Sequence, residues 1–149
     1  MISQEREQIV SLARGQIGVK WRHQGRVPGK NLDCGGLLVY IGKEMGLVDQ
    51  NWDMIRYGRY PEGDSLAQAL APWTTKKSWV DWKPGDIALL TEVDHRWPLH
   101  LGILSEQGGL PYMIHAWAAL PCRRVVETIF DLSWQSKLCA VFKYSGVPD

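Results

Sequence analysis

The chain has little of several things that would sort it at once. Its three cysteines are widely spaced, with no CxxC pair. An odd, scattered set excludes both a disulfide framework and a cysteine zinc site. The formal net charge is only +1, with no run of like charge. Nothing electrostatic therefore marks nucleic acid or an anionic membrane as the partner. No apolar run approaches the roughly 20 residues that a membrane-spanning helix needs. Low-complexity tracts and internal repeats are missing too. The opening Met1-Ile2-Ser3-Gln4-Glu5-Arg6-Glu7 is polar and acidic, the wrong chemistry for a secretory signal, so synthesis in a cytoplasm is the expectation. What is abundant is tryptophan, eight in 149 residues. Most should be core, with an aromatic-lined groove as the other use. The length fits one domain, residues 1–149, with a core of its own.

The apolar spacing predicts helices first and strands after. Ser3 caps a helix to about Ile17, with Ile9, Leu12, Ala13 and Ile17 inward and Gly18 at its end. Val19 to Lys30 reads as a polar loop, and residues 51–61 as an irregular aromatic stretch containing Trp52, Arg56, Tyr57, Arg59 and Tyr60. Asp64 caps a short helix, Ser65 to about Leu70, which Ala71-Pro72 ends. Lys83-Pro84-Gly85-Asp86 is a turn before the strand Ile87 to Leu90. Residues 99–105 alternate, His100, Gly102 and Leu104 on one face and Leu99, Leu101 and Ile103 on the other. A hairpin loop at Gln107 to Pro111 returns the chain through residues 112–116. Residues 124–128 form another strand, Asp131 caps a short turn carrying Trp134, and residues 138–144 close the sheet. The class is α+β, N-terminal helices packed on a central antiparallel sheet.

The chemistry gathers at Asn31-Leu32-Asp33-Cys34-Gly35-Gly36-Leu37-Leu38. Asp33 is a good N-cap, and Leu37, Leu38, Ile41 and Met45 follow at helical spacing before Gly46. Cys34 then sits at a helix N-terminus, where the dipole favours a thiolate. Gly35 and Gly36 leave room for a substrate backbone beside the sulfur. A nucleophilic cysteine needs a base, and the base needs a third group to orient it. His100 near the start of one strand and His115 near the end of its hairpin partner should come side by side. His23, in the loop leading to Cys34, is a candidate subsite residue. Zinc held by histidines on neighbouring strands is the competing use. No third His or carboxylate sits at ligand spacing, and His95 lies in a loop with Asp94, Arg96 and Trp97 around it.

Asp33-Cys34-Gly35-Gly36-Leu37, His100-Leu101-Gly102-Ile103 and Ile114-His115-Ala116 resemble the three motifs of the NlpC-type cell-wall peptidases, which are papain-like cysteine peptidases. Trp21-Arg22-His23-Gln24-Gly25-Arg26, Tyr60-Pro61, Pro84-Gly85-Asp86, Arg124-Val125-Val126 and Trp134 extend the resemblance, in order, toward the branch found in phage tails and gene transfer agents. The resemblance implies a papain-like NlpC fold with Cys34 as nucleophile, His100 as base and His115 orienting it. Asp33, Gly35, Trp21 and His23 become the expected surroundings of oxyanion and substrate. Trp21 stands where the family commonly has tyrosine, and Gly35 where many members have serine. The implied reaction is hydrolysis of a peptidoglycan stem peptide, typically between D-glutamate and the diamino acid, without metal or cofactor. The implied setting is a virion tail or tail-like particle that acts in the periplasm or cell wall, with other tail proteins as partners. Trp52 or Tyr57, if exposed, would serve that contact. Two other readings stay open: a silent structural tail-tip protein, and an amidase or acyltransferase of the same fold. An apolar groove would favour the latter, and a polar cleft the peptidase.

Overall fold

The computed structural model describes residues 2–54, 57, 58, 61–92 and 96–149. Arg56, Arg59, Tyr60, Asp94 and His95, named above, lie outside the described residues. In chain order the elements are α1 (Gln4–Arg14), β1 (Lys20–Trp21), β2 (Arg26–Val27), β3 (Asn31–Leu32) and α2 (Cys34–Glu44). Then come α3 (Ser65–Leu70), β4 (Thr74–Lys77), β5 (Ile87–Leu90), β6 (His100–Gln107), β7 (Leu110–Trp117), β8 (Arg124–Ile129), α4 (Leu132–Gln135) and β9 (Leu138–Tyr144). The strands form one sheet in the order β2-β3-β1-β8-β7-β6-β5-β9-β4. Its centre is the antiparallel meander β5 to β8, and among the described residues only the short β1–β3 pair is parallel.

Period-two alternation divides the strand residues between two cores. On one face Leu101, Ile103, Ile114 and Ala116 meet Ile9 and Ala13 of α1 and Leu37, Leu38 and Ile41 of α2. Each leucine or isoleucine among these, fully buried, contributes about 1.5–3 kcal/mol. On the opposite face Leu90, Leu104, Met113, Phe130 and Val141 pack with Trp82 and Trp134. A second lock joins α1 to the sheet. The buried Arg6 guanidinium lies 2.8 Å from Asp86, whose other oxygen is 2.8 Å from Lys77 Nζ. Asp86 closes the tight turn at Lys83–Asp86, where Gly85 has φ +94° and a Cβ on it would crowd the Arg6 backbone at 3.3 Å.

The expected helix and strand order holds, with an unexpected edge strand, β4 beside β9, and three further differences. Helix α1 stops at Arg14 rather than near Ile17, and Ile17 is 47% exposed. The sheet edge captures the chain there: Gly18 donates to Val125, and Val125 donates back to Val19. For the same reason the expected loop at 19–30 contains β1 and β2, which with β3 extend the sheet beyond β8. Asp64 precedes α3 but makes no capping hydrogen bond. Ser3, Asp33 and Asp131 do cap their helices.

Candidate active site

The site begins with how α2 is started. Asp33, buried and extended, accepts four hydrogen bonds: from Gly36 N (2.7 Å), Gln24 N (2.8 Å), Arg26 Nη1 (2.8 Å) and the Tyr57 hydroxyl (2.7 Å). Arg26 also donates to Tyr57 Oη (2.6 Å), Met54 O (2.8 Å) and Asp53 (2.7 Å). Burial opposes the Arg26 charge, but Asp33, Asp53 and Tyr57 outweigh it and hold the guanidinium protonated more firmly than usual. Burial first, then the Asp33 carboxylate, drives the Tyr57 hydroxyl well above its ordinary range. This cluster fixes the loop before Cys34 to the helix that Cys34 opens. Both glycines after Cys34 have a steric reason. A side chain at Gly36 would run into the Gly25 carbonyl, and one at Gly35 would begin 2.8 Å from Tyr57 Oη.

Asp33 borders the cleft, but all its accepting capacity is committed to protein donors, and a carboxylate has no proton to give an oxyanion. One expectation is corrected here. Tyr57 was expected to be exposed for partner contact. It is 7% exposed and bonded to Asp33, while Trp52 is half-buried against Trp73 with ring centroids 4.8 Å apart.

The sulfur of Cys34 lies beside the His100–Leu101 peptide. The Leu101 and Gly35 N–H groups hydrogen-bond to it and stabilise its anion. They do not prevail. Burial, then the Asp33 charge, pushes the thiol up to about 12, opposite to the expected effect of the helix dipole. His100 is likewise held in its neutral form. Burial, and then the Lys137 charge, pulls its imidazolium down to about 4. The resting pair is neutral thiol and neutral imidazole.

His100 and His115 come together across β6 and β7, with His100 Nε2 2.7 Å from His115 Nδ1. The nitrogen of His100 that His115 leaves unengaged is Nδ1. His115 is fully buried, and its Nε2 lies 3.0 Å from Thr128 Oγ1 on β8. Burial, then His100, keeps His115 neutral well below the usual range. Trp117 stacks on His115 at 5.6 Å and Trp134 meets it edge-on at 5.1 Å. Lys137 Nζ sits 4.8 Å over the Trp134 ring and 3.1 Å from Glu92. Gly102 makes room for this arrangement, since a Cβ there would come within 2.6 Å of Met113 and 3.3 Å of His115 Cβ.

Cys34 and His100 line one cleft of about 310 Å³, together with Trp21, His23, Asp33 and Tyr57. Its lining is largely apolar, with Leu99, Ala116, Trp117 and Ala118 among it and Glu92 charged, the character expected to favour an amidase or acyltransferase of this fold. Gly35 lies below the surface against Tyr57, and His115 stands behind His100. Arg26, Tyr57 and Thr128 are the side chains around this site whose parts sequence reasoning missed. Only Thr128 had a readable signal: it shares the His115 face of the sheet once β7 and β8 are in register, His115 opposite Val126. Among the described residues no three His, Cys, Asp or Glu side chains converge as a metal site.

Known structures share this arrangement of elements. An NLP/P60-family protein similar to lipoprotein from Staphylococcus aureus aligns over 100% of this chain and 43% of its own, with 17% identity and a TM-score of 0.66. The NlpC/p60 domain of the peptidoglycan hydrolase SagA aligns over 91% of this chain and 96% of its own, with 20% identity and a TM-score of 0.59. The chain has the NlpC/P60 fold. An N-acetylmuramoyl-L-alanine amidase from Bacteroides uniformis shares that fold over 95% of this chain and 99% of its own, at 13% identity and TM-score 0.65. No family model matches the chain, and no curated protein does. The chain thus spans less than half of the staphylococcal NlpC/P60 protein and nearly all of the other two.

Proposed function

We propose that residues 1–149 are one cysteine peptidase domain that hydrolyses an amide bond in the peptide of bacterial peptidoglycan. The observation that carries the reading is the 2.7 Å His100–His115 contact, which leaves His100 Nδ1 for the cleft that also holds Cys34. The NlpC/P60 fold, shared with a peptidoglycan hydrolase and an N-acetylmuramoyl-L-alanine amidase, supports the substrate class.

In this reading the thiol is activated at the moment of attack. As Cys34 Sγ bonds to the carbonyl carbon, its proton passes to His100 Nδ1. His115 Nδ1 accepts from His100 Nε2–H and holds the ring in place. The negative charge on the carbonyl oxygen is met by the Cys34 backbone N–H at the α2 N-terminus. The tetrahedral intermediate then breaks its C–N bond, and the amine leaves with the proton from His100. A water attacks the thioester, gives its proton to His100, and releases the acid and the Cys34 thiol.

The motif resemblance favours the D-glutamyl–diamino acid bond, and a phage tail or gene transfer agent as the setting. There the chain would act in the periplasm or wall beside other tail proteins. The fold shared with the Bacteroides amidase favours a second reading, cleavage between the lactyl group and L-alanine. Incubating wild type and Cys34→Ala with isolated peptidoglycan, then weighing the released muropeptides, separates the two. Cys34-dependent release is expected, and the masses name the bond. Release that persists in Cys34→Ala, or no release from either protein, would overturn the peptidase reading.

A further inference from the structure

The His100–His115–Thr128 chain has two possible proton registers. Each neutral imidazole carries one N–H, and each hydrogen bond holds one proton. In one register His115 Nε2–H donates to Thr128 Oγ1, so His115 Nδ1 accepts from His100 Nε2–H, and His100 Nδ1 is left with its lone pair. In the other, Thr128 donates, His115 Nδ1–H donates onward, and His100 Nδ1 is protonated. Only the first lets His100 accept a proton from Cys34. The contacts alone, 3.0 Å and 2.7 Å, are compatible with either.

Three features select the first. It puts both rings in the Nε2–H form, which a free histidine side chain prefers. His115 is fully buried between Trp117 and Trp134, so no solvent competes for its Nε2. Thr128 is half-buried, so its hydroxyl proton can be given to solvent when the oxygen accepts. We infer that Thr128 is a positioning residue whose hydroxyl oxygen accepts from His115 Nε2–H, and so holds His100 in the tautomer that exposes a basic Nδ1. The inference rests on the reading of Cys34 and His100 as nucleophile and base. Thr128 touches neither substrate nor sulfur; it acts through two rings, diagonal to His115 across the β7–β8 pair.

The test compares wild type, Thr128→Val and Thr128→Ser. Valine keeps the β-branched shape on the strand and removes only the hydroxyl. The first readout is the tautomer of both rings, by ¹⁵N NMR of histidine-labelled protein, which needs no substrate. Wild type and Thr128→Ser should show Nε2–H on both rings, and Thr128→Val mainly His100 Nδ1–H. The second is Cys34 alkylation by iodoacetamide at pH 7, which should fall roughly 10- to 100-fold in Thr128→Val and recover in Thr128→Ser. The third is muropeptide release, where kcat should fall with KM unchanged. A wild-type protein with His100 protonated on Nδ1 overturns the inference. So does a Thr128→Val protein with unchanged tautomers and unchanged alkylation. If tautomers and alkylation respond but wild type releases no muropeptide, the inference stands and the peptidase reading falls.

Discussion

The Tyr57 hydroxyl occupies the place where a side chain on residue 35 would start, 2.8 Å from a Cβ built on Gly35. The same hydroxyl donates to Asp33 and accepts from Arg26, so it is not free to move aside. Glycine at 35 and tyrosine at 57 are one choice. Gly35→Ala should destabilise the fold by about 1–3 kcal/mol through overpacking. In a Tyr57→Phe background the same change should cost less, because the clashing oxygen is gone. Chemical denaturation of the two single variants and the double gives the coupling energy. Strict additivity would show that the two positions are independent.

Thiol reactivity should carry the sign of the Cys34 environment. With the thiol pushed up to about 12, little thiolate exists at neutral pH. In a His100→Gln variant, which lacks the proton acceptor, alkylation of Cys34 should rise about tenfold per pH unit from pH 7 to 10 without a plateau. Adding Asp33→Asn removes the negative charge beside the sulfur and should move the line to lower pH, provided circular dichroism shows a folded protein. A plateau below pH 8 in His100→Gln would mean that the thiol is not raised.

The acid limit of activity reports His100. Its imidazolium is held down to about 4 by burial and then by Lys137. The base therefore stays neutral, and the acid limb of kcat/KM should lie well below the ordinary pH 6.5. Lys137→Met removes a positive charge that opposes protonation, so the limb should move up. The stability sign follows: the unfolded chain takes up its proton near 6.5 and the folded chain near 4, so stability is lost as pH falls through that window. Melting temperatures of wild type and His100→Gln between pH 7 and 4 should diverge there, the variant being the less sensitive.

The Arg6–Asp86 pair tests stability apart from chemistry. Both side chains are fully buried, and Asp86 is shared with Lys77. Asp86→Ala would strand two cations and should cost about 3–5 kcal/mol. Cys34 alkylation in the folded fraction should be unchanged, since none of these groups lines the cleft. A small stability loss in urea melts would show that the cations find other partners, Asp149 being 3.5 Å from Arg6 and 3.4 Å from Lys77.

Much of this architecture is legible because local rules and global packing agree. The α2 cap, the β5–β8 meander and the His100–His115 juxtaposition each follow from periodicity and turn chemistry. What was illegible is tertiary. Nothing near Arg26 or Tyr57 in the chain says that they converge on Asp33, because the contacts span 7 and 24 residues through irregular backbone. The conversion of residues 19–30 into strand pairs depends on an edge that β8 supplies about a hundred residues later. The helix-dipole argument for Cys34 failed for a related reason: it counted one favourable field and could not see burial or the inward-turned Asp33.

The Gly108–Gly109 turn between β6 and β7 has a consequence for how the site is assembled. His100 and His115 are 15 residues apart and belong to one hairpin, closed by glycines with φ +56° and +78°. Hairpins form in roughly microseconds, and low-order contacts precede long-range ones. Cys34 joins only when α2 docks on the sheet, across 66 positions of sequence. During refolding the imidazole pair should therefore be native before the sulfur arrives. A pulse of alkylating reagent would find Cys34 unprotected while histidine resonances already resemble those of the folded protein. The proton acceptor is built locally, and the nucleophile is delivered to it.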